Sequence, residues 1–214
     1  MEDTQYNNLE LIVLGAGGLA REIASWNNLY KNKLNVIGYM DDFYNSDQPN
    51  SYGLNILGKI QYDKFSKNVK AICAITDCSK KEDLFQQSQI NQFEFHHYIH
   101  NTCLIGQRVE LGSGIVMLPY SIISCDASIG NLVFINNGSL IGHDVIIGDN
   151  TSIMANVDVG GGAIIGKNVF IGSNAVILPG VKIPDNTRIG VGAVVLKSIK
   201  QPGTYFGNPA KKIF

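Results

Sequence analysis

Apolar residues recur through the C-terminal half of the chain with a period of six. Counted from Ile99, the first position of each hexad is Ile99, Ile105, Leu111, Met117, Ile123, Ile129, Ile135, Ile141, Ile147, Ile153, Val159, Ile165, Ile171, Ile177, Ile183 and Ile189. The frame holds for sixteen hexads, as far as Val194, without a slip. The fifth position takes small or β-branched residues, from Cys103, Val109 and Ile115 to Ala193. The fourth is Asn, Asp or Gly in twelve of the sixteen hexads, among them Gly114, Asp144, Asn168 and Gly192. Those three residue types suit backbone with positive φ, because Gly lacks a Cβ and Asn and Asp tolerate the left-handed region. Each hexad therefore reads as a short strand with one inward aliphatic, followed by a tight corner. A fixed short period of this kind is the mark of a solenoid. Three hexads per coil predict a triangular prism of roughly five coils, stacked at the ~4.8 Å spacing of paired strands.

Before the repeat the pattern changes to that of an α/β segment. Leu9–Leu14 is a short apolar run suited to a buried parallel strand, and it meets Gly15, Ala16, Gly17 and Gly18. Leu19, Ile23, Trp26 and Tyr30 then recur at helical spacing. Val36–Met40 predicts a second strand ending in Asp41 and Asp42, Val69–Ile75 a third, and Ser79–Gln89 a polar helix. Strand, glycine turn and helix is the arrangement that aims backbone N–H groups and a helix N-terminus at phosphate. Gly15-x-Gly17-x-x-Ala20, with acidic residues following at Asp41 and Asp42, matches the dinucleotide fingerprint. The segment is long enough for one mononucleotide half and not two, so it suits a single nucleotide, such as that of a nucleotide sugar, better than NAD. The plain alternative is that the glycines only let strand and helix pack closely. The division this predicts is a Rossmann-like nucleotide-binding half over residues 1–95 and the β-solenoid with its tail over 96–214.

Charge follows the same division. The 96 residues of the repeat hold four basic and six acidic residues, against 35 charged residues in the whole chain. Faces so poor in charge are expected to pack on neighbours, which predicts an oligomer. A net charge of −1 gives no electrostatic case for nucleic acid or for an anionic membrane. No stretch approaches the ~20 apolar residues of a membrane span, Met1–Asn8 is polar, and no signal peptide is visible. The four cysteines, Cys73, Cys78, Cys103 and Cys125, lack metal or redox spacing. They fit reduced thiols in a cytoplasmic protein.

His143 sits at a third position, on an outward corner, and has no packing purpose there that Ser or Asn would not serve. Asp144 follows at a fourth position, where Asp is acceptable for its backbone alone; it can both shape the turn and hold the imidazole. A neutral imidazole titrates near physiological pH and suits a general base. A carboxylate on its far nitrogen fixes the tautomer. His96, His97, His100 and Cys103 lie close in sequence, but strand alternation sends His96 and His97 to opposite sides with no carboxylate nearby, which favours packing over a metal site.

The hexads resemble those of the left-handed parallel β-helix acyltransferases. The run Asn136-Asn137-Gly138-Ser139-Leu140-Ile141-Gly142-His143-Asp144, with Gly207-Asn208-Pro209-Ala210-Lys211 near the end, is similar to the bacterial sugar acyltransferases of the sialic-acid O-acetyltransferase and bacillosamine-pathway N-acetyltransferase type. The resemblance covers nearly the whole chain. It implies a homotrimer with active sites between subunits, acetyl-CoA as co-substrate, no metal, and a nucleotide-linked sugar as acceptor. It implies His143 as base with Asp144 assisting, and direct attack by a sugar amine on the thioester. Gly17, Gly18 and Leu19 would line the diphosphate or sugar beside Gly15, Asp41 and Asp42 the nucleoside, and Asn136 the acceptor. Thr76 stands where a small, glycine-like contact is implied. Gly161, eighteen residues after His143 and on the same face one coil along, with Ser173 and Val191 on a different face, would line the coenzyme. Ser152 stands where many relatives carry a second histidine that contacts the coenzyme. The resemblance implies N-acetylation of a UDP- or dTDP-linked 4-amino sugar for surface glycan synthesis. O-acetylation of sialic acid and a non-catalytic, nucleotide-sugar-binding scaffold remain as alternatives.

Overall fold

The computed structural model describes residues 9–29, 33–44 and 53–213; the polar start Met1–Asn8 and the Tyr30 position of the helical pattern lie outside the described residues. The chain opens with β1 (Glu10–Leu14), α1 (Gly18–Asn27), β2 (Val36–Met40), β3 (Ile56–Gly58), β4 (Val69–Cys73) and α2 (Cys78–Asn91). The four strands form a parallel sheet in the order β3-β2-β1-β4. Its central strand is the apolar run of the sequence, buried from Leu11 to Leu14, as expected of a parallel strand covered on both faces. Leu14 pairs with Met40 on one side and Cys73 on the other. The C-terminal ends of β1, β2 and β4 therefore open side by side, where sheets of this type bind ligands. β3 was not expected; three residues are too short to display a period.

From Tyr98 the chain winds as a parallel β-helix of seventeen two-residue strands, Tyr98–Ile99 to Val194–Val195. Every strand ends on the first residue of a hexad, and partners are eighteen residues apart, as in Ile135 with Ile153 and Ile141 with Val159. Three faces result. One carries Ile99, Met117, Ile135, Ile153, Ile171 and Ile189; the second runs from Ile105 through Ile141 to Val195; the third from Leu111 through Ile147 to Ile183. Their inward aliphatics and the fifth-position residues, such as Val145, Ala163 and Ala193, form one continuous core. Burying each large aliphatic is worth about 1.5–3 kcal/mol.

The corners obey the backbone more strictly than the composition. All fourth positions from Arg108 to Gly192 have positive φ, including Arg108 (57°), Tyr120 (63°) and Leu132 (50°), where the residue type does not favour it. A second rule falls on the second positions. A Cβ at Gly106 would stand 2.7 Å from the backbone N of Cys125, and one at Gly148 would stand 2.6 Å from that of Lys167. Glycine there lets successive coils approach.

The α/β layers sit on the first face of the prism. Tyr98, Val116, Leu118 and Phe134 join Leu11, Val13, Ala20, Ile23 and Ile72 in a single buried cluster. The outward residues of the other two faces stay open, with Leu104, Leu140 and Ile146 among the exposed large apolar side chains. Thr204–Phe206 adds a last parallel rung to the first face and pairs antiparallel with Lys211–Lys212. The four cysteines are unpaired, and of them Cys73 is fully buried, which pushes its thiol pKa up. Among the described residues no helix is long and apolar enough to cross a membrane.

Candidate active site

His143 lies on the edge between the second and third faces, between strands Leu140–Ile141 and Ile146–Ile147. The corner is held by its neighbours in the stack: the Asp144 N–H donates to the Cys125 carbonyl, and the Gly162 N–H donates to the His143 carbonyl. Asp144 adopts φ 59°, which turns its side chain back beside the imidazole. His143 Nδ1 and Asp144 Oδ2 are 2.7 Å apart, and both side chains are open to solvent. With the carboxylate accepting from Nδ1–H, the free lone pair of the ring is on Nε2. That nitrogen lies over Gly161, where a Cβ would stand only 2.5 Å from it. The pair can thus take a proton from a nucleophile arriving along the open edge.

A cavity of about 800 Å³ opens at the C-terminal ends of β1, β2 and β4. It gathers Gly15, Gly17, Gly18, Leu19, Asp41, Asp42 and Thr76, all expected in the substrate site. Gly15 has φ 104°, and a Cβ on it would press on the Ala74 carbonyl at 2.8 Å, so the turn closes onto β4 only with glycine. Gly17 precedes α1 and makes no side-chain cap, which leaves the helix start to a ligand. Asp41 carries a structural load: Oδ2 accepts from the Ala16 N–H and Oδ1 from the Phe43 N–H. Asp42 uses one oxygen, on the Ile60 N–H. Lys80 is the basic side chain of the cavity wall among the described residues, and its Nζ lies 4.6 Å from the centre of the Phe43 ring. Asp77 caps α2 by accepting from the Lys80 N–H, and that bond with the Ser79 hydroxyl holds its carboxyl below the usual range. Sequence reasoning singled out neither Phe43 nor Lys80, since neither belongs to a spaced motif.

Within one chain the cavity and the edge that carries His143 do not meet. The cavity belongs to the layers on the first face, and His143 stands on the edge opposite that face. Gly161 is directly beside His143, as the eighteen-residue spacing predicts. Ser173 and Val191 stack on the edge between the first and second faces, the Gly192 N–H donating to the Ser173 carbonyl. Asn136 is on that same edge, its Oδ1 accepting from the Asn137 N–H. Ser152 departs from the expectation of a coenzyme contact. It is fully buried beneath α2, its hydroxyl accepting from Lys81 Nζ and donating to the Thr76 carbonyl. Its strand belongs to the first face, which the α/β layers cover, so no surface is left for a coenzyme in this arrangement. Near the start of the solenoid, His97 Nδ1 accepts from the Ile115 N–H and His100 packs edge-on to Trp26. Burial lowers the pKa values of His96 and His97. Among the described residues no group of three or more His, Cys, Asp and Glu could hold a metal ion.

Residues 10–88 match the family model of the PglD N-terminal domain, and residues 144–179 and 162–197 match that of the bacterial transferase hexapeptide. The N-terminal segment thus matches a PglD-type domain and the solenoid matches hexapeptide repeats, and the fold is an α/β domain followed by a left-handed β-helix. Its resemblance to the left-handed β-helix sugar acyltransferases holds in both halves. Comparison with curated proteins gives no match. Among solved structures, the acetyltransferase domain of PglB from Neisseria gonorrhoeae in complex with acetyl coenzyme A is 20% identical, with a TM-score of 0.87 over 97% of this chain and 100% of that one. A histidine-to-alanine mutant of GDP-perosamine N-acetyltransferase from Caulobacter crescentus, in complex with CoA and GDP-perosamine, is 24% identical, with a TM-score of 0.82 over 94% and 95%. WeeI from Acinetobacter baumannii is 22% identical, with a TM-score of 0.70 over 96% and 100%.

Proposed function

We propose that the protein transfers an acetyl group from acetyl-CoA to the amino group of a nucleotide-linked amino sugar, a UDP- or dTDP-linked 4-amino-4,6-dideoxy sugar by the resemblance of its sequence. The observation that carries this reading is the His143–Asp144 pair, joined at 2.7 Å on an open edge with Nε2 directed over Gly161. The nucleotide half of the substrate occupies the cavity between Gly17 and Asp42. The neutral amine gives a proton to Nε2 as it attacks the thioester carbonyl, the C–N bond forms, the C–S bond breaks, and the imidazolium returns the proton to the leaving thiolate, releasing CoA thiol. Asp144 keeps Nδ1 protonated and steadies the imidazolium. Backbone N–H groups of the edge stabilise the developing oxyanion.

The separation of cavity and base within one chain supports an assembly in which His143 of one subunit meets the cavity of the next, as a threefold ring provides. The exposed Leu104, Leu140 and Ile146 are the kind of surface such a ring covers. Ser173 and Val191, on a different edge from His143, then face it across the junction and line the coenzyme groove. The acetyl-CoA and nucleotide-sugar complexes of the similar structures support both substrate classes.

The test is thiol release from acetyl-CoA with a panel of UDP-, dTDP- and GDP-linked amino sugars and free sialic acid. Turnover of a nucleotide amino sugar, reduced roughly 10²–10⁴-fold in His143→Ala, is the expected result. Release with sialic acid alone would move the reading to O-acetylation, and an unaffected His143→Ala would remove the base.

A further inference from the structure

Lys81 is the fully buried lysine among the described residues, at 1% exposure. It projects from α2 into the edge between the third and first faces. Its Nζ donates to the Leu132 carbonyl at 2.9 Å, to the Thr151 carbonyl at 3.0 Å and to Ser152 Oγ at 2.7 Å. Those three bonds use every N–H of an ammonium. The Ser152 hydroxyl passes the link on, donating to the Thr76 carbonyl at 2.8 Å. Among the described residues its hydrogen-bond acceptors are two carbonyls and a hydroxyl rather than a carboxylate, and burial, only partly offset by the charge of Asp77, pushes its pKa down to about 8. An interface needing only adhesion would be better served by Met or Leu, because burying an amine that no carboxylate contacts directly is costly.

We propose that Lys81 and Ser152 form a register pin that holds the nucleotide cavity level with the coil carrying His143. The proposal rests on the acetyltransferase reading and adds a positioning residue to it. Ser152 follows His143 by nine residues, half of an eighteen-residue coil, so the two occupy opposite sides of the same turn of the prism. The pin grips both walls of the cavity. Thr76 belongs to one wall, at the end of β4, while Lys80, Leu84 and Gln87 line the other from the helix that bears Lys81. In a ring whose axis runs along the prisms, equivalent coils stand at equal height. A cavity pinned to the coil of His143 in its own subunit is then level with His143 of the neighbour.

The rest of the contact does not set height as sharply. The apolar cluster beneath the sheet is non-directional. Two further polar contacts continue along the same edge: the Cys78 thiol lies 3.5 Å from the Val169 carbonyl, and Asn168 Nδ2 donates to Glu82 Oε2 at 2.9 Å in a bond that is only partly buried. The three bonds of Lys81 are directed and dry. A shift of one ångström in the delivered amine is enough to lower turnover about 10²-fold, so a pin of this kind acts on the chemical step rather than on affinity.

The test uses the full chain, with Lys81→Met and Ser152→Ala compared against wild type on a nucleotide amino sugar that wild type turns over. Nucleoside diphosphate binding is followed by calorimetry and assembly by light scattering. Folded variants of unchanged assembly are expected to bind the nucleotide within about twofold of wild type while kcat falls roughly tenfold or more. The double variant should be no worse than Lys81→Met alone, because the two residues act as one unit. Unchanged kcat in both folded variants, or a loss confined to nucleotide affinity, overturns the pin. If Lys81→Met fails to fold, Ser152→Ala decides the matter, since it cuts the link from Lys81 to the Thr76 wall of the cavity while leaving both carbonyl bonds of Lys81 in place to hold the fold. A wild type that turns over no nucleotide amino sugar sinks the acetyltransferase reading and the pin with it. A normal wild type beside normal variants sinks the pin alone.

Discussion

The imidazole of His143 lies across the Cα of Gly161, one coil further along the edge, so closely that a Cβ there would stand 2.5 Å from Nε2 and 2.7 Å from Cε1. Gly161 is therefore needed less for its own backbone than for the ring above it. Replacing it with Ala should drive the imidazole off the edge and strain its bond to Asp144. We expect Gly161→Ala to keep its fold and its nucleotide affinity while kcat for thiol release falls about 10²-fold. Near-normal turnover would mean that the ring works from another rotamer.

Asp144 has two tasks that a pair of substitutions separates. Asn tolerates positive φ and Ala does not, whereas neither keeps the charge beside Nδ1. Asp144→Asn should lose kcat by about 10- to 100-fold with an unchanged unfolding midpoint. Asp144→Ala should lose kcat and also about 1 kcal/mol of stability. Equal stability of the two variants in denaturant titrations would contradict the assignment of the corner.

The two glycine rules of the solenoid differ in cause and so in size. Gly180 has φ 69° with open space where a Cβ would go, whereas Gly148 would put a Cβ 2.6 Å from the Lys167 backbone. Gly180→Ala should cost about 1 kcal/mol, the strain of one left-handed residue. Gly148→Ala should cost at least twice as much, roughly 2–3 kcal/mol, because backbone cannot yield as a side chain does. Chemical unfolding of the two variants gives the order directly.

Lys81 makes stability depend on alkaline pH with a definite sign. Its pKa in the folded chain is about 8, below the value of 10.5 for an unburied lysine. Between those values the unfolded chain binds the extra proton, so stability rises with pH across that window. The gain approaches roughly 3 kcal/mol by linkage. Urea titrations of wild type and Lys81→Met at pH 7.5 and pH 10 isolate it, since other titrating groups are common to both. Wild type should gain on the variant as the pH rises; parallel curves would show that the amine titrates normally.

The architecture of the repeat was legible because every coil states it again. An aliphatic at each first position, from Ile99 to Ile189, and a turn-forming residue at the fourth leave one way to bury the row. The corner of His143 was legible because histidine has no packing reason to stand at a third position. Less visible were Arg108, Tyr120 and Leu132, whose positive φ is imposed by the coils on either side rather than by their own preference. The second-position glycines carried a signal that could have been read: Gly106, Gly130, Gly148 and Gly166 recur in frame, and their shared purpose is the approach of the next coil.

Local pattern thus determined most of the elements, the solenoid and the strand-glycine-helix turn that opens the cavity, because periodicity and turn chemistry are properties of neighbouring residues. Tertiary structure alone decided which face of the prism the α/β layers cover, and with it the fate of Ser152. Read along the chain, Ser152 stands where a coenzyme contact was implied. In the fold it is sealed under α2 by Lys81, a residue that looks like one more solvent-facing lysine of a polar helix. The physical reason is that a hydrogen bond between residues 71 positions apart leaves no period in the sequence; only the packing of one layer on another brings its donor and acceptor together.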